Sequence, residues 1–183
     1  DDDDGDDDDG DDDGDARSAR GDFAKVTSEK IIMAEGSGVD LEEYQPQKQV
    51  ASGEIKVLMA SRLLKDKGVR EFCSAAGAIQ EKYDFNVSFS LAGRIDSDSP
   101  GSLTEDEITE MCTSAKVQFL GNRSDLKDIL SKCHIFILPS YYAEGIPKVL
   151  LEAAACGCAI ITTDHPGCRD AIIPGETGML VVP

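Results

Sequence analysis

The chain has 183 residues and a formal charge of −18, yet its first 15 residues, DDDDGDDDDGDDDGD, hold 12 aspartates and no base, leaving 24 acids against 18 bases in the rest. That mildly acidic remainder of about 160 residues suffices for one hydrophobic core but not two, and it argues against a binder of nucleic-acid backbones, which needs a basic face. Six cysteines scattered through apolar segments do not form a small secreted disulfide scaffold, the acidic start does not read as a signal peptide, and no apolar run reaches the length of a membrane helix.

Residues 1–20 read as an acidic tail, expected to be disordered because it repels itself and has nothing to bury. Asp9, Asp11, Asp13 and Gly14 match the first half of an EF-hand loop. The bidentate acid position then falls on Arg20 and no helix pattern precedes the match, so calcium is not expected there. Residues 21–183 read as one domain.

EKIIMAEG (Glu29 to Gly36) and IKVLMA (Ile55 to Ala60) have the composition of strands. Val69, Phe72, Cys73, Ala76, Ile79, Gln80 and Tyr83 then recur at helical spacing. NVSFSLAG (Asn86 to Gly93) predicts a strand ending in a tight turn. Either Ser102 with Glu105 or Thr104 with Glu107 supplies a capping box for a helix through about Met111. KVQFLG (Lys116 to Gly121) predicts a short strand. Ser124 is placed to cap a helix carrying Leu126, Ile129, Leu130 and Cys133. HIFILP (His134 to Pro139) is nearly all apolar, as a strand covered on both faces should be. A helix from Pro147 to about Cys156, a strand AIITT (Ala159 to Thr163), a short helix near Arg169 to Ile172 and a final GMLVVP complete the pattern.

Strands alternating with helices at these lengths imply right-handed crossovers and a parallel sheet, so the class is a doubly wound, Rossmann-like α/β fold. Such sheets bind ligands outside the carboxyl ends of their strands. The turns to inspect are those after Ala60, Leu91, Leu120, Pro139 and Thr163.

The turn after Ala60 is SRLLKDKG, with Arg62 and Lys67 at the strand mouth. Two cations there suit a diphosphate, although a solvated basic loop has the same composition. The turn after Pro139 is SYYAEGIPKVLLE. Pro147 suits the first position of a helix, and free amides at that helix start attract anions. Glu144 and Glu152 would repel the same anion, so their partners should be neutral hydroxyls flanking it. From Pro147 to Glu152 the helix rises roughly 7–8 Å. The two carboxylates could therefore grip hydroxyl-bearing groups on either side of a diphosphate, the layout of a nucleotide-sugar. Spacing alone favours the plainer reading, a loop carboxylate and a surface helix residue, because such glutamate pairs occur often by chance.

From about Ile31 to Val182 the chain resembles the C-terminal, donor-binding half of retaining family 4 glycosyltransferases, the glycosyl transferases group 1, which have the GT-B fold. The motifs run in order: GSGVDLEEYQP (Gly36 to Pro46), SRLLKDKG, LAGR, VQFLG, EGIPKVLLE and EAAACGCAIITTDHPGCRDAIIPGETGMLV. The resemblance implies a nucleotide-sugar-binding domain over residues 21–183. It gives Arg62 and Lys67 the donor diphosphate and the leaving nucleotide, Glu144 the transferred sugar and Glu152 the ribose hydroxyls. Backbone at Gly145, Ile146, Pro147 and Lys148 would meet the phosphates or sugar, and the turn at Gly121 the base.

The implied donor is a UDP-hexose or UDP-N-acetylhexosamine, with no cofactor and no essential metal. The implied acceptor is a glycan or lipid-linked glycan of a bacterial cell surface, held by an N-terminal domain that this chain does not carry. The implied location is cytoplasmic, with the full-length enzyme meeting its acceptor peripherally at the inner face of the membrane. The chain then reads as a fragment, expected to be inactive alone. Asp170 stands where the family more usually has glutamate, and Ala159 where it commonly has proline. Two other readings remain: a non-catalytic nucleotide or sugar-phosphate binding module, and an interaction protein acting through the acidic tail.

Cys156, Cys158, His165 and Cys168 could be drawn as a zinc set, but a predicted strand separates the two pairs, so no metal site is expected. His134 opens a strand and reads as structural, whereas His165 falls in a cleft-side loop. GSGVDL has no third glycine, and no P-loop string or hydrolase triad is present.

Overall fold

The computed structural model describes residues 38–47 and 53–183. The expectations for the acidic tail, the calcium half-match and a strand over Glu29 to Gly36 concern residues outside that range.

The apolar run IKVLMA forms β1 (Ile55–Ala60), exposed at its first two residues and buried at the last four. A short 3-10 turn, Lys65–Lys67, leads through Gly68 into α1 (Val69–Lys82). Gly68 has φ +78°, and a Cβ there would lie 2.2 Å from the Pro139 carbonyl oxygen, so only glycine fits in both conformation and space. α1 buries Val69, Phe72, Cys73 and Ala76, the residues that recur at helical spacing. Phe72 meets Phe89 of β2 (Val87–Ala92) edge to face.

α2 (Glu105–Ser114) takes the second of the two possible capping boxes: Thr104 Oγ1 accepts from the Glu107 amide at 3.2 Å and Glu107 Oε2 accepts from the Thr104 amide at 2.9 Å. After β3 (Gln118–Gly121) the expected helix shrinks to one turn, α3 (Leu126–Leu130). Its N-cap is Asp125, not Ser124, and Cys133 lies beyond its end. The Asp125 carboxylate is taken by Arg123, with bonds of 2.8 and 2.6 Å, and gives the helix no side-chain cap.

β4 (Ile135–Leu138), α4 (Lys148–Ala155), β5 (Ala159–Thr163), a 3-10 turn at Arg169–Ala171 and β6 (Gly178–Val181) follow. β4 is not covered on both faces: Phe136 and Leu138 are buried, but Ile135 and Ile137 are partly exposed. Among the described residues, an apolar hollow beside α1 is lined by Ile79, Ile137, Ile161 and Val181.

The six strands form one parallel sheet in the order β3-β2-β1-β4-β5-β6. The chain therefore winds outward from β1 to β3, returns to β4 beside β1, and winds outward again. The strand order reverses between β1 and β4, and a ligand crevice opens at such a point. All six cysteines are buried, and none forms a disulfide. His134 is structural, as expected: its Nδ1 accepts the Lys56 amide at 3.0 Å and ties β4 to β1.

Candidate functional site

The loops that leave β1 and β4 are bound to each other at the reversal point. The Tyr141 amide donates to the Asp66 carbonyl at 2.9 Å, and the Tyr141 hydroxyl donates to the Lys65 carbonyl at 3.2 Å. Ser140 Oγ adds a bond to the Asp66 carbonyl at 3.3 Å. β5 fastens the second loop from below: the Thr163 hydroxyl donates to the Ser140 carbonyl, and the Thr162 hydroxyl to the Leu138 carbonyl at 2.8 Å.

Both cations singled out in the sequence stand here. Lys67 is only 5% exposed, because Gly68 presses its loop against Pro139. Its ammonium donates to Glu144 Oε1 and lies 4.5 Å from the ring centre of Tyr142. Arg62 approaches the same ring at 5.7 Å. Arg62 also pairs with Asp96 at 3.5 Å, on the loop after β2. The Ser99 hydroxyl, and after it the Arg94 and Arg62 guanidinium groups, hold the Asp96 carboxyl below its ordinary range.

Tyr142 thus sits between the two cations, and it was missed among the sequence candidates. The doubled tyrosine in SYYAEG was the only available signal.

Pro147 is not the first helical residue. At φ −61° and ψ 118° it is the N-cap, and its carbonyl accepts the Leu150 amide at 3.0 Å. The opening amides of α4 still lack a carbonyl one turn back, so the helix start keeps its anion-attracting character. Gly145 is exposed, and nothing lies within 4 Å of where its Cβ would be. Ile146 is half-buried and the Lys148 side chain is exposed.

Glu152 is not a surface helix residue, being 8% exposed. Lys148 approaches it at 3.4 Å, and the Glu152 charge is felt by Tyr44, from the segment 38–47. Burial first, then that charge, push the Tyr44 phenol up to about 12.

Gly121, at φ +67°, ends β3, and its carbonyl accepts the Gly93 amide at 2.9 Å. Beside it a hollow is lined by Ala60, Arg62, Gly93, Arg94, Asn122 and Arg123, across the carboxyl ends of β1, β2 and β3. Asp170 accepts the Gly167 amide at 3.1 Å, steadying the turn that packs against the Glu144 and Gly145 carbonyls. His165 is half-buried, its Nδ1 3.2 Å from the Pro166 carbonyl, and among the described residues no three His, Cys, Asp or Glu side chains cluster to hold a metal.

The glycosyl transferases group 1 model matches residues 40–183. The chain belongs to that family. A Campylobacter jejuni N,N'-diacetylbacillosaminyl-diphospho-undecaprenol alpha-1,3-N-acetylgalactosaminyltransferase is 42% identical over 123 residues, covering 67% of this chain and 30% of the relative. An Escherichia coli UDP-Gal:alpha-D-GlcNAc-diphosphoundecaprenol alpha-1,3-galactosyltransferase is 30% identical over 142 residues, 72% of this chain and 36% of the relative. The chain thus spans about a third of the length of these family members.

Among solved structures, sucrose-phosphate synthase from Thermosynechococcus elongatus superposes with a TM-score of 0.67 at 26% identity, covering 80% of this chain and 38% of that one. The six-stranded parallel sheet with its flanking helices is the Rossmann-like, C-terminal-type domain of GT-B glycosyltransferases.

Proposed function

We propose that the crevice between the β1 and β4 loops binds the diphosphate of a nucleotide-sugar donor, a UDP-hexose or UDP-N-acetylhexosamine, for retaining glycosyl transfer. The observation that carries this reading is the convergence of Lys67, Arg62, Tyr142 and the start of α4 at the strand-order reversal. The E. coli relative is named for a UDP-Gal donor and an undecaprenol-diphosphate-linked sugar acceptor, and the C. jejuni relative for N-acetylgalactosamine transfer to an undecaprenol-linked acceptor. Those names support the donor class and a lipid-linked acceptor.

On this reading Arg62 and Lys67 pair with the phosphates, and the amides at Gly145 to Lys148 complete the cradle. As the glycosidic bond breaks, negative charge grows on the departing diphosphate. Cations and a helix end already fixed in place stabilise it without reorganising, so no metal is required for that step. Glu144 then leaves Lys67 for the hydroxyls of the transferred sugar, while Glu152 holds those of the ribose. The turn at Gly121 meets the base.

Transfer itself belongs to a longer protein whose acceptor-binding domain faces this crevice, and this chain alone binds donor without turning it over. No helix among the described residues is long and apolar enough to cross a membrane. The full-length enzyme would meet a lipid-linked acceptor peripherally, at the cytoplasmic face.

Calorimetric titration with UDP tests the reading. Micromolar-range binding should weaken about 10- to 150-fold on Lys67→Ala or Arg62→Ala, the equivalent of one charge-assisted hydrogen bond. Unchanged affinity in both folded variants, or a folded wild-type chain without UDP affinity, would overturn it.

A further inference from the structure

The Lys67 ammonium has two neighbours in the crevice, the Glu144 carboxylate and the ring of Tyr142, whose centre lies 4.5 Å away. On the reading above, Glu144 leaves Lys67 for the sugar hydroxyls when donor binds. The lysine, only 5% exposed, then changes its anion, and its long stem gains rotamer freedom unless something else holds it. The ring is the neighbour that stays. Its face attracts a cation through the aromatic quadrupole and carries no net charge, so it holds the ammonium without neutralising it.

Backbone bonds fix that ring in place. The Tyr141 amide donates to the Asp66 carbonyl at 2.9 Å, so the residue before Tyr142 is tied to the residue before Lys67. Ser140 Oγ donates to the same carbonyl at 3.3 Å and accepts the Tyr142 amide at 3.3 Å. Ser140 is fully buried, and the Thr163 hydroxyl of β5 occupies its carbonyl. Ring and ammonium therefore meet because two backbones are locked together one residue upstream of each. Arg62, at the other end of the β1 loop, approaches the same ring at 5.7 Å and has Asp96 as a second restraint. The Tyr142 hydroxyl makes no hydrogen bond among the described residues, which leaves the ring face as the part of the side chain that holds the cations.

We propose that Tyr142 is a positioning residue for the donor site: its ring face holds the Lys67 ammonium, and more weakly the Arg62 guanidinium, where the donor's phosphates pair with them. This inference rests on the donor-site reading above. It adds that an uncharged aromatic surface orders two long cationic side chains before the donor arrives, which lowers the entropy lost on binding.

The test is calorimetric titration of UDP into the whole 183-residue chain and into three forms changed at one position: Tyr142→Phe, Tyr142→Leu, and the chain with 3,4,5-trifluorophenylalanine in place of Tyr142, with thermal melts of each. Fluorine draws electron density from the ring face and leaves its size nearly unchanged, so that form keeps the packing and loses attraction for cations. Tyr142→Phe should bind UDP within about twofold of wild type. The trifluorinated ring and Tyr142→Leu should each weaken binding about 3- to 30-fold, the span of a cation–π contact from partly exposed to desolvated.

The inference is overturned if the trifluorinated ring binds UDP as Tyr142→Phe does, since packing alone would then account for the ring. It is overturned equally if Tyr142→Phe loses as much affinity as Tyr142→Leu, which would place the role on the hydroxyl, or if Tyr142→Leu binds UDP as tightly as wild type. Should Tyr142→Leu fail to fold, the two aromatic forms decide the matter, because they share one shape. A folded wild type without UDP affinity overturns the donor site itself, and this role with it.

Discussion

Lys67 and Glu144 neutralise each other across the gap between the β1 and β4 loops. The lysine is nearly buried, and an ammonium in that position without an anion would be strongly disfavoured. Glu144 therefore does in the free site what a phosphate would do in the liganded one, and the two must compete. Glu144→Gln should lower the stability of the free chain by about 1–3 kcal/mol, the cost of leaving a buried donor poorly matched. It should also tighten UDP binding several-fold, because Lys67 no longer has to leave a carboxylate. Urea melts with and without UDP, together with calorimetry, read both effects. Weaker UDP binding in the variant would show that Glu144 supports the anion seat and does not compete for it.

Arg62 is restrained in a more open setting, by Asp96. The Asp96 carboxyl is held below the ordinary aspartate range, first by the Ser99 hydroxyl and then by Arg94 and Arg62. A carboxyl with a lowered folded pKa stabilises the fold fully above its unfolded value, and that stabilisation is lost as pH falls through the folded value. Wild type should therefore melt above Asp96→Asn near neutral pH, and the gap should close as pH drops below about 4. A gap that stays constant down to the acid transition would count against the charged cluster.

Much of this architecture could be read from residue order. Apolar strands alternating with helical repeats such as Val69, Phe72, Cys73 and Ala76 leave few alternatives to a parallel sheet, and that sheet class points to the loops after Ala60 and Pro139. The contacts inside those loops were not legible. Tyr142 joins Arg62 and Lys67 only because two loops far apart in the chain are fastened by Tyr141 and Ser140. Glu152, four residues after Lys148, has the spacing of an exposed helical ion pair, yet the fold buries it, which local spacing does not reveal. At α3 the cap expected at Ser124 falls one residue later, at Asp125, a difference that local spacing does not decide.

The join between the two loops depends on Gly68. A methyl group there would sit 2.2 Å from the Pro139 carbonyl oxygen, in a backbone conformation with φ +78° that favours glycine. Gly68→Ala should destabilise the chain by about 2 kcal/mol or more, among the larger single-residue effects. The surviving folded fraction should bind UDP weakly, since relief of the clash separates Lys67 from the β4 loop. Chemical denaturation gives the first quantity and titration at low temperature the second. Wild-type stability in the variant would mean that the loops are not in contact as described.

Gly145 and Gly167 offer a paired test of where the phosphates lie, because the turn bearing Gly167 packs against the loop bearing Gly145 but the two differ in what surrounds them. A Cβ on Gly145 meets nothing within 4 Å, so Gly145→Ala should leave the melting temperature nearly unchanged. If the backbone there cradles the donor, the added methyl should still weaken UDP binding about tenfold or more, by filling space the ligand needs. A Cβ on Gly167 would come within 2.5 Å of the Glu144 and Gly145 carbonyl oxygens, at φ +84°. Gly167→Ala should therefore destabilise the fold by at least about 1 kcal/mol and disturb UDP binding only through the displaced loop. Loss of affinity without loss of stability at Gly145, set against loss of both at Gly167, places the ligand on the open side of the loop. Undiminished UDP binding by Gly145→Ala would move the anion seat away from the start of α4.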